Sequence, residues 1–346
     1  MDPSLQDMAY MTIALQLAAQ GRATVSPNPM VGCVLVKEGK VIAQGFHQRA
    51  GEPHAEIHAL NQAGEHARGA IAYVTLEPCC HYGRTPPCTE RLISAGIKKV
   101  YVACLDPNPL VSGKGVMALE AAGIEVEVGC CEEQAKKLNE IFFHYIKTKT
   151  PFVIAKWAMS LDGKTMTASG DQKQISSLDS KKHTHQQRQY VDAIMVGAGT
   201  LRSDDPLLTA RYEPIEKQPL RIVLAGRQAL PKTAQLFDDA SEVKILVVSP
   251  VKQDLPSHIE VLVLPDKSGE KVDIKKLCLV LGERGVTSVL LEGGETLHAS
   301  FFSEKSVNKI QAYLAPYIIS DLPTKQRVQE LKCEPLGDDF LFEASI

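Results

Sequence analysis

Four residues in the first third of the chain have side chains suited to binding a metal ion and moving a proton. His54 and Glu56 are separated by one residue, and Cys79 and Cys88 follow them. One histidine and two cysteines suit Zn²⁺, which lowers the pKa of a bound water to about 7 and so supplies hydroxide at neutral pH. A carboxylate that does not bind the metal can carry the proton of that water to a departing amine. We therefore predict that His54, Cys79 and Cys88 bind zinc and that Glu56 is the proton shuttle of a hydrolytic deaminase.

Simpler interpretations of the same residues stay open at this point. His-x-Glu occurs by chance in many chains, and Pro78-Cys79-Cys80 could be a structural zinc knuckle or a pair of buried thiols. Cys80 could also compete with Cys79 for the metal, and the eight residues from Cys80 to Pro87 are a longer gap than zinc deaminases usually have. Glu56 distinguishes a catalytic zinc site from a structural one, because a structural site does not need a carboxylate that does not bind the metal.

The elements around these residues are predicted to alternate between strands and helices. His54 precedes a helical pattern, and Cys79 follows a buried strand. The predicted strands are 31–36, 40–43, 70–76, 100–103 and 124–128, with a hairpin turn at Glu38-Gly39, and the predicted helices are 7–19, 57–64, 92–95, 116–122 and 132–145. Such alternation is typical of a mostly parallel sheet covered by helices on both faces.

A polar segment that ends at Pro151 is predicted to separate two domains, 1–147 and 151–346. The alternation continues after it, with strands predicted at 152–158, 193–196, 221–224, 244–248, 288–291 and 310–314 and helices at 179–190 and 274–283. Two glycine-containing segments, 197–200 and 292–296, each follow a strand. Glycines there let the backbone approach a phosphate, although short glycine pairs are usually simple turns.

The composition is that of a globular protein with two full cores. The 346 residues are 44% hydrophobic and 23% charged. The formal net charge of -3 argues against general binding to nucleic acid or to an anionic membrane. No signal-peptide pattern or bilayer-spanning apolar segment is present, which predicts a cytoplasmic protein. In that compartment the nine cysteines are expected to be buried thiols or metal ligands rather than disulfides.

Longer motifs surround these residues and continue into the second half of the chain. They are PNPMVGCV at 27–34, GFHQRAGEPHAE at 45–56, YVTLEPC at 73–79, GRTPPC at 83–88 and DPNP at 106–109, with Lys156, 160–163, 169–170, 204–206, Thr209, Arg211 and 292–294 in the second half. These motifs resemble those of the bifunctional deaminase–reductases of riboflavin biosynthesis. The long gap between Cys79 and Cys88 is that family's own spacing, and the resemblance spans nearly the whole chain. The resemblance implies a cytidine-deaminase-like three-layer α/β/α domain followed by a dihydrofolate-reductase-like α/β domain.

The resemblance also implies two successive reactions on one small molecule. The first domain would replace the ring amine of a diamino-hydroxy-phosphoribosylamino-pyrimidine with a carbonyl group and release ammonia. The second would reduce the ribosyl group to ribityl with NADPH, and the family suggests a homodimer through this domain. The alternative is a zinc deaminase of another nucleoside, nucleobase or tRNA, whose reductase-like domain is weak or inactive.

Residue roles follow from the same resemblance. The residues expected to contact NADPH are Ala158, Gln174, Thr200, Asp204, Gly294, Glu295, Thr296, Leu297, His298, Ala299 and Ser300. The residues expected to contact substrate are Asn28, Gln172, Arg188, Leu208, Arg211 and Glu292, of which Asn28 would bind the pyrimidine. The two arginines suit a ribose phosphate, because a guanidinium forms paired hydrogen bonds to its oxygens. This chain departs from its relatives at Gln174, where they usually have tryptophan, and at Ala225, where they usually have aspartate.

Overall fold

The computed structural model of the chain describes residues 4–82, 86–165, 177–212, 214–238, 243–319, 326–336 and 339–345. They belong to two compact units. The first comprises Met1–Pro151 with Leu281–Thr287, and the second comprises Phe152–Val280 with Ser288–Ile346.

A five-stranded sheet forms the centre of the first unit. Its strands are β1 (Gly32–Lys37), β2 (Lys40–Phe46), β3 (Ile71–Val74), β4 (Lys99–Val102) and β5 (Glu125–Val128). Their spatial order is β2-β1-β3-β4-β5; β1 is antiparallel to β2 and to β3, while β3, β4 and β5 are parallel. The sheet is mixed rather than mostly parallel in its strand pairs, because β1 runs opposite to the other four strands and pairs with two of them.

Helices cover both faces of this sheet. They are α1 (Leu5–Ala18), α2 (Ala55–Ala63), α3 (Cys88–Ser94), α4 (Lys114–Ala121), α5 (Glu132–Leu138) and α6 (Glu140–Thr148). Side chains alternate along a strand, so Cys33 and Leu35 of β1 join one apolar cluster with α2, α3 and α4. Val34 and Val36 join the opposite cluster with α1, α5 and α6. The three-layer α/β/α fold is confirmed.

The predicted hairpin between β1 and β2 is confirmed. Its two central residues, Glu38 and Gly39, have φ values of 51° and 71°. Positive φ at both positions is the geometry whose twist matches that of two antiparallel strands.

The predicted helix at 132–145 was wrong in one respect, since it is broken at Asn139 into α5 and α6. The buried Asn139 side chain accepts a hydrogen bond from the Met30 backbone N–H at 2.8 Å and donates one to the Met30 carbonyl at 2.9 Å. This pairing with a distant backbone fixes the asparagine where the helix would otherwise continue.

A seven-stranded, fully parallel sheet forms the centre of the second unit. Its strands are β6 (Phe152–Ser160), β7 (Ala193–Gly197), β8 (Leu220–Leu224), β9 (Ile245–Ser249), β10 (Glu260–Val263), β11 (Ser288–Leu291) and β12 (Lys309–Ala315). Their spatial order is β10-β9-β8-β7-β11-β6-β12. The central strands β7 and β11 are buried along nearly their whole length, as parallel strands covered on both faces must be.

Helices and short strands complete this part of the chain. The helices are α7 (Leu178–Gln189), α8 (Ala198–Asp204), α9 (Gln235–Asp238), α10 (Ile274–Glu283) and α11 (Glu295–Ser303). Near the carboxyl terminus, β13 (Tyr317–Ile318) pairs with β14 (Gln326–Arg327), and β15 (Gln329–Leu336) pairs with β16 (Asp339–Ser345). Among the helices in the described ranges, none is both long enough and apolar enough to cross a membrane.

Candidate active sites

The three predicted zinc ligands converge in the first unit. His54 is the N-cap residue of α2, Cys79 lies in the loop after β3, and Cys88 is the first residue of α3. The His54 Nδ1 atom is 3.2 Å from Cys88 Sγ and 3.6 Å from Cys79 Sγ. Within the described ranges, this is the one group of His, Cys, Asp or Glu side chains whose ligand atoms all lie within 4.8 Å of one another, and Cys80 does not belong to it.

Hydrogen bonding at this cluster favours the thiolate form of Cys79. The Cys88 thiol bonds to the Cys79 sulfur, as does the Cys88 backbone N–H at 3.3 Å, and His54 adds a positive neighbour. Together these contacts hold the pKa of Cys79 well below its usual range. Thiolate is the form of cysteine that binds metals, so the cluster is electrostatically suited to a cation.

Glu56 lies in the first turn of α2, next to the cluster. Its side chain contacts the Cys88 thiol, and the residue is only 3% exposed. Burial raises the pKa of the Glu56 carboxyl. Its Oε2 atom is buried without a hydrogen-bond partner among the described residues. A buried carboxyl oxygen that no protein group satisfies is available to hold a proton.

His47 is a residue of this site that sequence reasoning missed. Its Nδ1 atom is 3.1 Å from the Pro53 carbonyl oxygen, and its Nε2 atom is 3.2 Å from Asn28 Nδ2. A carbonyl only accepts, so Nδ1 carries the ring proton and Nε2 accepts from the Asn28 amide. The Asn28 amide oxygen takes no part in this contact. The contact between His47 and Asn28 becomes visible only in the folded structure, although His47 lies within one of the matching motifs.

Glu77 was also missed, although it directly precedes Pro78-Cys79. Its buried carboxylate accepts four backbone N–H groups, from Asp106 at 3.2 Å, Gly113 at 3.0 Å, Gly115 at 2.8 Å and Val116 at 3.2 Å. A Cβ on Gly115 would lie 2.2 Å from the Pro78 carbonyl oxygen, so only glycine fits this close approach. Glu77 therefore fixes the loop before α4 against the strand end that carries Cys79.

The candidate cofactor residues of the second unit lie at the carboxyl ends of three adjacent strands. Ala158 is near the end of β6, α8 with Thr200 and Asp204 follows β7, and α11 follows β11. Ligands of open parallel sheets bind at this edge. Within α11 the predicted residues differ, because Glu295, Thr296 and Ala299 are exposed whereas Leu297 and His298 are buried. Gln172 and Gln174 lie outside the described residues.

Arg188 and Glu292, both expected at the substrate site, form a buried ion pair. Arg188 Nε and Nη2 donate to the two Glu292 carboxylate oxygens at 2.8 and 2.9 Å, and Nη1 donates to the Thr209 carbonyl at 2.9 Å. Lys156 Nζ lies 4.0 Å from the same carboxylate. Burial by itself raises the pKa of the Glu292 carboxyl, but Arg188 and Lys156 outweigh it and hold that pKa below its usual value. Arg188 is thus engaged by protein acceptors, whereas Arg211 is exposed.

His185 is a further residue here that the sequence did not indicate. It is buried, its ring packs edge-on against Tyr212 at a centroid distance of 4.9 Å, and its Nδ1 has no described hydrogen-bond partner. Burial, with Arg188 and Arg211 nearby, lowers the pKa of His185 to about 4. The imidazole is therefore neutral at physiological pH.

Comparison with known proteins identifies the family of the chain. Residues 4–104 match the cytidine and deoxycytidylate deaminase zinc-binding region, and residues 151–340 match the RibD C-terminal domain. The riboflavin biosynthesis protein RibD of Aquifex aeolicus is 43% identical over 351 residues, covering 97% of each chain. The chain belongs to the RibD family. The Escherichia coli RibD protein is 38% identical, covering 91% of this chain and 89% of its own.

Solved structures of RibD proteins also match over nearly the whole chain. The Acinetobacter baumannii RibD structure is 39% identical with a TM-score of 0.82, covering 98% of both chains. A diaminohydroxyphosphoribosylaminopyrimidine deaminase/5-amino-6-(5-phosphoribosylamino)uracil reductase from Thermotoga maritima is 34% identical with a TM-score of 0.81, again covering 98% of both. The expected fold and the expected bifunctional deaminase–reductase of riboflavin biosynthesis are confirmed, and the alternative of a deaminase for another nucleoside, nucleobase or tRNA is not favoured.

Proposed function

We propose that residues 1–147 deaminate 2,5-diamino-6-(5-phosphoribosylamino)pyrimidin-4-one and that residues 151–346 reduce the ribosyl group of the product to ribityl with NADPH. The observation that carries the proposal is the convergence of His54, Cys79 and Cys88 beside a buried, unpartnered carboxyl oxygen of Glu56. The name of the Thermotoga maritima protein, which states both activities and both substrates, supports the assignment.

The donor set of the first site fits zinc. One imidazole nitrogen and two sulfurs are ligands that Zn²⁺ prefers, and three protein ligands leave a fourth position open, as catalytic zinc sites require. When bound there, zinc supplies a hydroxide nucleophile at neutral pH. Glu56 is the group that holds the proton and delivers it to the ring amine as ammonia departs. A purely structural site would have no role for this carboxyl group.

Asn28 and His47 orient the pyrimidine in this proposal. Because His47 accepts the Asn28 amide N–H, the Asn28 oxygen is the atom of this amide that would accept a hydrogen bond from the substrate. It would then bind an N–H group of the aminopyrimidine and select against rings that present an acceptor there.

The residues at the start of α11 fit a dinucleotide phosphate. Gly294 is the N-cap of this helix, so the first backbone N–H groups of α11 have no helical acceptor. A Cβ on the preceding Gly293 would lie 2.4 Å from the end of the Leu297 side chain, which would have to shift to accommodate it. When bound, NADPH supplies a hydride to the ribosyl carbon attached to nitrogen.

Lys156 is placed to hold the proton that this reduction consumes. Reduction at that carbon would break its bond to the ribose ring oxygen, and that oxygen would take up a proton. Burial lowers the pKa of Lys156, and the Glu292 carboxylate 4.0 Å away partly offsets the effect. An ammonium whose pKa is lowered in this way gives up its proton more readily.

Product analysis tests both halves of the proposal. Purified protein with zinc is given the diamino-phosphoribosylamino-pyrimidine, with and without NADPH, and products are followed by mass and by ammonia release. We expect ammonia without NADPH and a further gain of two hydrogens only with it. Ammonia without any NADPH-dependent change would refute the reductase half, and no ammonia would refute the deaminase substrate.

A further inference from the structure

Three non-glycine residues of the loop after α8 lie in the left-handed region of φ, and two of them flank Arg211. Leu208 has φ 55° and Tyr212 has φ 85°. Residues with a Cβ rarely adopt such angles, and they persist where surrounding contacts hold the backbone in place. The segment between them carries Arg211, the exposed arginine expected at the substrate phosphate.

We propose that Gln218 is a positioning residue that holds this loop so that Arg211 can bind the phosphate of the phosphoribosyl group. Gln218 Oε1 accepts from the Ala210 backbone N–H at 2.9 Å, and Gln218 Nε2 donates to the Ala210 carbonyl at 3.0 Å. One amide side chain thus satisfies both backbone groups of the residue before Arg211, as a neighbouring strand would. The inference rests on the proposed substrate of the second domain.

Contacts on both sides of Ala210 also hold the backbone of this loop in place. Arg188 Nη1 donates to the Thr209 carbonyl at 2.9 Å, and the Tyr212 ring packs edge-on against His185. Thr209, Ala210 and Tyr212 are therefore held from three directions, while the Arg211 side chain extends into solvent.

The two arginines differ in their contacts with the protein, and this difference favours Arg211 as the phosphate ligand. All three guanidinium nitrogens of Arg188 donate to protein acceptors, and its charge is balanced by Glu292. Arg211 is exposed, and no described residue accepts a hydrogen bond from it. A guanidinium on a fixed backbone loses less conformational freedom when it binds a phosphate than one on a mobile loop.

The test compares Gln218→Ala with the parent protein in the reductase reaction. The substrate is the deaminated phosphoribosylamino-pyrimidine or the same compound without its phosphate. We expect KM for the phosphorylated substrate to rise about five- to tenfold, the size of effect expected when the two amide hydrogen bonds are lost. We expect kcat, KM for NADPH and KM for the substrate without phosphate to change less than about twofold. Gln253→Ala is the matched control, since its amide also bridges backbone groups, of Leu230 and Gly226, and it should leave KM unchanged.

Arg211→Ala, alone and combined with Gln218→Ala, shows whether a negative result concerns the positioning role of Gln218 or the phosphate contact of Arg211. If Gln218 acts through Arg211, adding Gln218→Ala to Arg211→Ala causes no further rise in KM. A normal KM in Gln218→Ala together with a raised KM in Arg211→Ala would overturn the positioning role alone. A normal KM in Arg211→Ala would overturn the assignment of Arg211 to the substrate phosphate, while leaving the proposed reaction itself to the product analysis. Deaminase activity of the same samples checks that each variant is otherwise intact, and a Gln218→Ala defect that is equal with and without the substrate phosphate would also overturn the inference.

Discussion

Replacing Arg188 with methionine should destabilise the second unit by about 3–5 kcal/mol, the usual cost of removing one partner from a buried ion pair. The side chains of Arg188 and Glu292 are only 10% and 8% exposed, so water cannot replace the lost partner. The substitution removes two charge-assisted hydrogen bonds to the carboxylate and a third to the Thr209 carbonyl. Lys156 Nζ lies 4.0 Å from the Glu292 carboxylate and partly replaces the lost positive charge. We therefore expect a loss of stability near the lower end of this range.

The single tryptophan of the chain makes this effect measurable in one unit. Trp157 lies in β6, next to Lys156, so its fluorescence reports unfolding of the second unit. With a urea dependence of about 2 kcal/mol per molar, a loss of about 3 kcal/mol lowers the urea midpoint by about 1.5 M. Adding Glu292→Gln to Arg188→Met should restore part of the stability, because it removes the unpaired charge.

A surface pair provides the matched control. Arg227 and Glu270 are 3.5 Å apart with side chains 54% and 65% exposed, so Arg227→Met should cost less than about 1 kcal/mol. If Arg188→Met cost no more than Arg227→Met, the Arg188–Glu292 pair would not stabilise the fold, and the reasoning from burial would be wrong.

Three further predictions concern single side chains. Glu56→Gln should retain zinc, measured by atomic absorption, but lose about 10²–10⁴-fold in deamination rate; full activity would refute the proton-shuttle role. Glu77→Gln should lower the temperature at which deaminase activity is lost by about 5–10 °C, because an amide cannot replace a carboxylate that accepts four N–H groups. The reductase activity of the same protein serves as the control, and an unchanged deaminase midpoint would contradict the argument. The folded-state pKa of His185 is lowered to about 4 from an ordinary 6.5, so the unfolded chain binds one more proton between these values. Stability of the second unit should therefore fall by about 2 kcal/mol from pH 7 to pH 5 through this residue. In urea titrations, His185→Gln should lack this pH-dependent loss of stability. The same dependence of stability on pH in the variant and in the parent protein would refute the argument.

Much of the architecture follows from local patterns that the sequence shows directly. Strands such as β11 are mostly apolar runs, and the turn at Glu38-Gly39 has glycine at one of its two positive-φ positions. The convergence of His54 and Cys79 was also predictable, because the first turn of a helix and the end of a neighbouring strand meet at one edge of a sheet.

What the sequence could not indicate depends on partners that are distant in the chain. The break at Asn139 arises from its pairing with Met30, and no local pattern signals that contact. The engagement of Arg188 by Glu292 likewise joins residues 104 positions apart. α9 has only four residues and β10 is largely exposed, so neither produces a clear periodic signal.

The pairing of Asn139 with Met30 bears on how the chain can be divided. Asn28 lies two residues before Met30, so the amide of Asn139 supports the segment that carries the proposed pyrimidine contact. A fragment that ended after β5 would keep His54, Glu56, Cys79 and Cys88 and so appear complete by its motifs. It would nevertheless lack the Asn139 side chain, which holds the Met30 backbone through two hydrogen bonds. The part of the chain that supports the deaminase site therefore extends past the last recognisable motif, at least to Asn139.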